Sequence, residues 1–234
     1  REASQKREVT DSKQTASENL NVTKLAQELN STGLARAAQQ MTAKNEMLNS
    51  AESKEDIIRI EADIKEHKQV STELMTNIKN NGGDVIAGTD KFADKKVRDY
   101  EDRALAETQR LMEVSKGKPY EAEVNQLINE RLNDITSKAE SFTEDMRMIA
   151  RENKGVDIEK VTATVKDLDN QFTKDYQSMQ QEFESIVNSH KETVTTKEIH
   201  KEEVIINKVT PNPKEDISKQ IKNDGVSKEI NKDE

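Results

Sequence analysis

Through its middle the chain sets an apolar residue at every third or fourth position for five or more turns at a time, with mostly polar side chains between. That spacing marks helices that each carry one apolar stripe. Only 32% of the 234 residues are apolar, while 35% are charged and 3% aromatic, too little for a large three-dimensional core. A disordered chain would lack the periodicity. The stripes can be hidden only by pressing helices together along their lengths. The sequence therefore predicts an all-α protein: an elongated antiparallel helical bundle or coiled-coil hairpin of four to five long helices with weakly ordered termini.

Punctuation between the stripes divides the chain. Residues 1–19 hold one large apolar residue, Val9, and read as a flexible polar lead or a solvated helical extension. The bundle proper spans 20–190. Its first helix begins at Leu20 and runs through the Ala-rich stretch to Leu48, with "NSTG" at 30–33 as a possible break. A second helix runs from about Lys54 to Asn80 and ends at "NNGGD", the strongest breaker in the chain. Thr89 and Asp90 are a plausible cap for a third helix from Lys91 to Lys116. Pro119 then opens a fourth. Asn153, Lys154 and Gly155 form a hairpin turn, after which Asp157 caps a fifth helix. Residues 191–212 are rich in β-branched side chains and lose the regular spacing, so they read as an extended linker, with a frayed helix or an added strand as alternatives. Residues 213–234 read as a short helix and polar tail.

Candidates for chemistry are few. None of the three histidines, His67, His190 and His200, sits in a metal-binding or catalytic pattern. His67 falls on the apolar seam of the second helix, where a polar residue sets register or partner choice. Paired carboxylates such as Glu182 and Glu184 lack the apolar surroundings that raise a pKa for acid catalysis. The Gly-rich stretch at 80–91 lacks the order of a phosphate-binding loop. The chain has no cysteine, which excludes disulfides, thiol catalysis and thiolate metal ligands. No catalytic, cofactor or metal residue is assigned. The candidate partner-contact loop is Asn80, Asn81, Gly82, Gly83 and Asp84, a tip on a helical scaffold.

The formal net charge is −9 and lysines and arginines lie among acidic neighbours throughout, so nucleic acid has no electrostatic footprint to bind. No apolar run approaches the roughly 18 residues of a membrane span. The start at Arg1 fits a chain whose leading segment was removed and leans the reading towards an extracytoplasmic or surface-associated protein. The functional expectation is non-enzymatic: a structural or adaptor protein that binds protein partners or itself. A subunit of a virion, secretion apparatus or filament is the alternative. A membrane-inserting helical toxin ranks below both, because its best insertion candidate, 84–88, is far too short.

Overall fold

The computed structural model describes the backbone of residues 2–209, and side-chain surroundings for most positions up to 193. These residues are all-helical, with seven helices and no strand. They are α1 (Glu2–Leu20), α2 (Val22–Ser31), α3 (Ala35–Ser50), α4 (Lys54–Asn80), α5 (Val85–Ser115), α6 (Glu121–Ala150) and α7 (Ile158–Val209). The chain divides into two units, residues 1–182 and 183–234.

In the first unit, one apolar cluster draws on every helix, from Ala16 in α1 to Leu168 in α7, while Leu111 of α5 and Val124, Leu127 and Ile128 of α6 are buried outside it. The expected first helix is three helices. Asn21, in the left-handed conformation at φ 49°, separates α1 from α2. Asn tolerates that backbone better than most residues, and hydrophobic periodicity carries no trace of it. The second break falls within the expected "NSTG": Gly33 adopts φ 82°, and Leu34 N–H closes the end of α2 by donating to Leu29 O at 2.9 Å. The polar lead is likewise helical. Its inner face is Ala16, buried, with Val9 partly buried against the same cluster, and it runs unbroken into the buried Leu20 that ends α1. Small side chains supplied the contact where only large ones were sought.

Helix α4 follows the predicted stripe, with Ser53 accepting a bond from Asp56 N–H as its cap. Helix α5 begins earlier than Lys91, at Val85, capped by Asp84 through Ala87 N–H at 3.0 Å. Gly88 is therefore a helical residue. It lies where α5 crosses α4, and a Cβ built there would stand 2.4 Å from Ile78 Cα. The glycine permits a close approach and breaks nothing.

Side-chain pairs fix the helix directions. Lys54 with Glu8, and Lys68 with Leu20 O, set α1 parallel to α4. Lys96 with Glu73 joins the antiparallel α4 and α5. Arg131 with Glu182 and Lys138 with Asp175 set α6 antiparallel to the first part of α7.

In the second unit α7 continues to Val209, with Phe183, Ile186, Val187 and His190 half-buried. The β-branched stretch is thus helical through 209 and not an extended linker. Each β-branched residue costs a helix only a few tenths of a kcal/mol, and no Gly or Pro occurs between Gly155 and Pro211. The predicted short helix and tail at 213–234 lie outside the described residues.

Gly→Ala in a helix ordinarily gains about 1 kcal/mol. At Gly88 the sign reverses, because the added methyl meets backbone that cannot swing aside. Gly88→Ala is expected to lower stability by about 2 kcal/mol, read as a reduced midpoint in urea unfolding followed by circular dichroism. An unchanged or raised midpoint would show that α4 and α5 do not approach this closely.

Candidate functional site

Helix α3 has three faces, and each meets something different. Ala37, Met41 and Leu48 enter the core. Arg36, Gln40 and Lys44, spaced four apart, form a polar ladder along a second face. Ala35, Gln39 and Ala43 stand exposed on the third.

The polar ladder grips the connection between α6 and α7. Arg36 donates through Nη1 to Glu152 Oε2 at 2.7 Å and to Gly155 O at 3.2 Å, and through Nη2 to Asp157 Oδ2 at 2.8 Å. Gln40 donates to Asp157 Oδ1 at 2.8 Å and accepts from Ile158 N–H at the same distance. Lys44, one turn on, pairs with Asp63 of α4 at 2.7 Å and Glu159 of α7 at 3.2 Å. Lys160 closes the ring on Glu152 at 2.6 Å. Asp157 meanwhile caps α7, accepting from the N–H groups of Glu159 and Lys160 at 3.0 and 3.1 Å. One carboxylate thus starts a helix and binds another.

Electrostatics follow from these contacts. Burial alone would raise the Asp157 pKa, but bonds from Gln40 and Lys160 N–H and the charge of Arg36 outweigh it and hold the carboxyl below the ordinary aspartate range. Bonds from Lys160 and then Arg36 hold Glu152 low. Burial also opposes charge on Lys44, yet its bonds to Asp63 and Glu159 leave its pKa raised. All of these groups remain ionised at neutral pH.

Several turns gather at this end of the unit. A Cβ at Gly33 would stand 3.5 Å from Val85, just past the predicted contact loop, and one at Gly155 would stand 3.6 Å from Arg36 Cβ. Arg147 of α6 pairs with Asp90 of α5 at 3.9 Å. Of the two loops singled out in the sequence, Asn153–Gly155 is held by Arg36, whereas the α2–α3 turn meets Val85 just past Asn80–Asp84, and a Cβ built at Gly82 or Gly83 would meet nothing within 4 Å. Asn80 ends α4, and Asn81, Gly82 and Gly83 make a short turn whose N–H groups fold back on α4, Gly83 reaching Ile78 O at 2.9 Å. Ile86 and Met148 stand 45% and 56% exposed near this end, which is unusual company for charged loops. Arg36 and Gln40 were missed in the sequence; the signal available was their four-residue spacing with Lys44 in an otherwise Ala-rich helix.

His67 lies apart, buried within α4, with Nδ1 2.8 Å from Asp63 O. The structure does not bring it to the gathered turns. One turn on, the Ser71 hydroxyl is buried with no protein partner. Tyr100 is also buried and its hydroxyl has no protein partner; burial, then the charges of Asp175 and Asp134, push its pKa up to about 12. It faces a cavity of about 20 Å³ among α5, α6 and α7, too small for any organic substrate. Among the described residues no three His, Cys, Asp or Glu are grouped to hold a metal, and no helix is long and apolar enough to cross a membrane. Compared with known proteins, the chain matches no family model, no curated protein and no solved structure.

The clasp predicts its own pH response. A carboxylate with a depressed native pKa contributes stability above its unfolded value, near 4, and that contribution is lost as pH falls through the native one. Asp157→Ala should cost roughly 2 kcal/mol at neutral pH. Asp157→Asn should flatten the loss of stability below about pH 4. Urea titrations from neutral to about pH 3 measure both. A wild-type acid slope retained in full by Asp157→Asn would remove Asp157 as its source.

Proposed function

We propose that this chain is a non-enzymatic structural or adaptor protein, a coiled-coil-like assembly of helices that offers one loop-bearing end to a protein partner. The observation that carries the reading is the Arg36 clasp. It holds the α6–α7 corner against α3, beside the α2–α3 turn and the start of α5. A rigid end with two protruding apolar side chains, Ile86 and Met148, is the form of a small interaction surface, since apolar anchors amid polar surroundings carry most of the binding energy in such contacts.

The state of the carboxylates supports the non-enzymatic part. General acid catalysis calls for a carboxyl pKa moved up towards neutrality. The displaced carboxylates among the described residues, Glu8, Asp56, Glu152 and Asp157, are all displaced down, and each bonds a neighbour that holds a helix or loop in place.

A photo-crosslinking amino acid at position 86, compared with one at the distant exposed position Ile58, tests the proposal in extract of the source cells. Position 86 is expected to capture a discrete protein that position 58 does not, and Met148→Ser should reduce that capture with helicity unchanged. Equal labelling at 86 and 58, or none at either, would rule the end out as the contact surface.

A further inference from the structure

The remaining face of α3 points to a second contact, different from the loop-bearing end. Helices α2 and α3 pack as a pair whose inward sides, including Leu25, Leu29 and Met41, are buried in the core. Between their outward sides runs an open groove of about 580 Å³. Its walls are small, with Ala26, Ala35 and Ala43, or uncharged and polar, with Gln27, Asn30 and Gln39; of the lining residues only Glu46 carries charge. In a chain that is 35% charged, a groove with a single charge departs from the rest of the surface. Asn45, also in its wall, has a side-chain oxygen that is buried with no protein partner.

We propose that the α2–α3 groove is a self-association face, and that its occupant is the same groove of a second copy of this chain related by a two-fold axis. Three properties favour a copy over another partner. A carboxamide donates and accepts at once, so a wall of Gln and Asn side chains is complementary to itself. Two chains that each carry a net charge of −9 repel wherever their acidic faces meet, and this groove is where they can meet without juxtaposing like charges. A highly charged partner would instead lose hydration here and find almost no opposite charge in return. The small side chains then let helices from the two copies approach closely. The contact is isologous and closes at two chains.

The inference rests on the reading of the chain as a protein that works through helical surfaces, but the two fail separately. A dimer can form whether or not position 86 captures a partner. Sedimentation equilibrium on the full 234-residue chain, from low-micromolar to submillimolar concentration, is the test. The wild type is expected to convert reversibly from one chain mass to two. Gln39→Glu and Ala43→Glu together, both at exposed positions, should weaken dimerisation at least tenfold, with circular dichroism and the urea midpoint unchanged. Glu46→Gln should strengthen it, and Ile58→Ser should leave it as it was. A single-chain mass throughout, growth beyond two chains, or a dimer indifferent to the groove substitutions would overturn the proposal.

Discussion

Scarcity of apolar side chains is the constraint from which the rest of the first unit follows. Each helix has one apolar stripe, and parts of these stripes meet along one shared line. The cluster from Ala16 to Leu168 is that line. Buried hydroxyl side chains fill further positions in the unit, mostly in one manner. Thr89 donates to Val85 O, Thr108 to Leu105 O, Ser115 to Met112 O and Thr162 to Ile158 O. His67 has its Nδ1 against Asp63 O in the same way. A buried hydroxyl that bonds its own preceding turn needs nothing from a neighbouring helix, so it fills a core position at little cost. Ser71 and Tyr100 are the exceptions.

This explains which features were legible in the sequence. The α4 stripe, the Gly-rich turn that ends it and the Asp157 cap each depend on residues close together in the chain, and their positions could be read directly. The number of helices could not, because Asn21 adopts a left-handed backbone between Leu20 and Val22 with no Gly or Pro to mark it. Gly88 was misleading for a related reason. In sequence it resembles loop glycine, and only the approach of Ile78 explains its presence inside a helix. The stretch after His190 misled through composition, since β-branched residues weigh less against helix than a missing Gly or Pro weighs for it.

The clasp was least legible of all. Arg36 looks like one more charge on a solvated helix, and its partners Glu152 and Asp157 like two more acids in an acidic chain. Their importance arises from position: a guanidinium with planar donors meets two carboxylates and a carbonyl at a corner that already has unsatisfied helix-start N–H groups. Similar pairs elsewhere, such as Arg59 with Asp56, remain largely in water and contribute little. Three uses of one short helix, packing, clasping and a nearly uncharged groove, are what distinguish α3 from the longer helices around it.

The clasp also has a temporal consequence. Arg36 lies 116 residues from Glu152 and 121 from Asp157, whereas the α2–α3 and α4–α5 turns close over a few residues. Closing so large a loop carries a higher entropic cost than closing a hairpin, and contacts of high sequence separation tend to form late. The hairpins are therefore expected to assemble first and the corner to dock onto them afterwards. An interaction absent from the folding transition state acts on the rate of unfolding and hardly on the rate of folding. On that order Arg36 is expected to govern how long the assembled molecule persists once formed, and to leave how quickly it forms to the local turns.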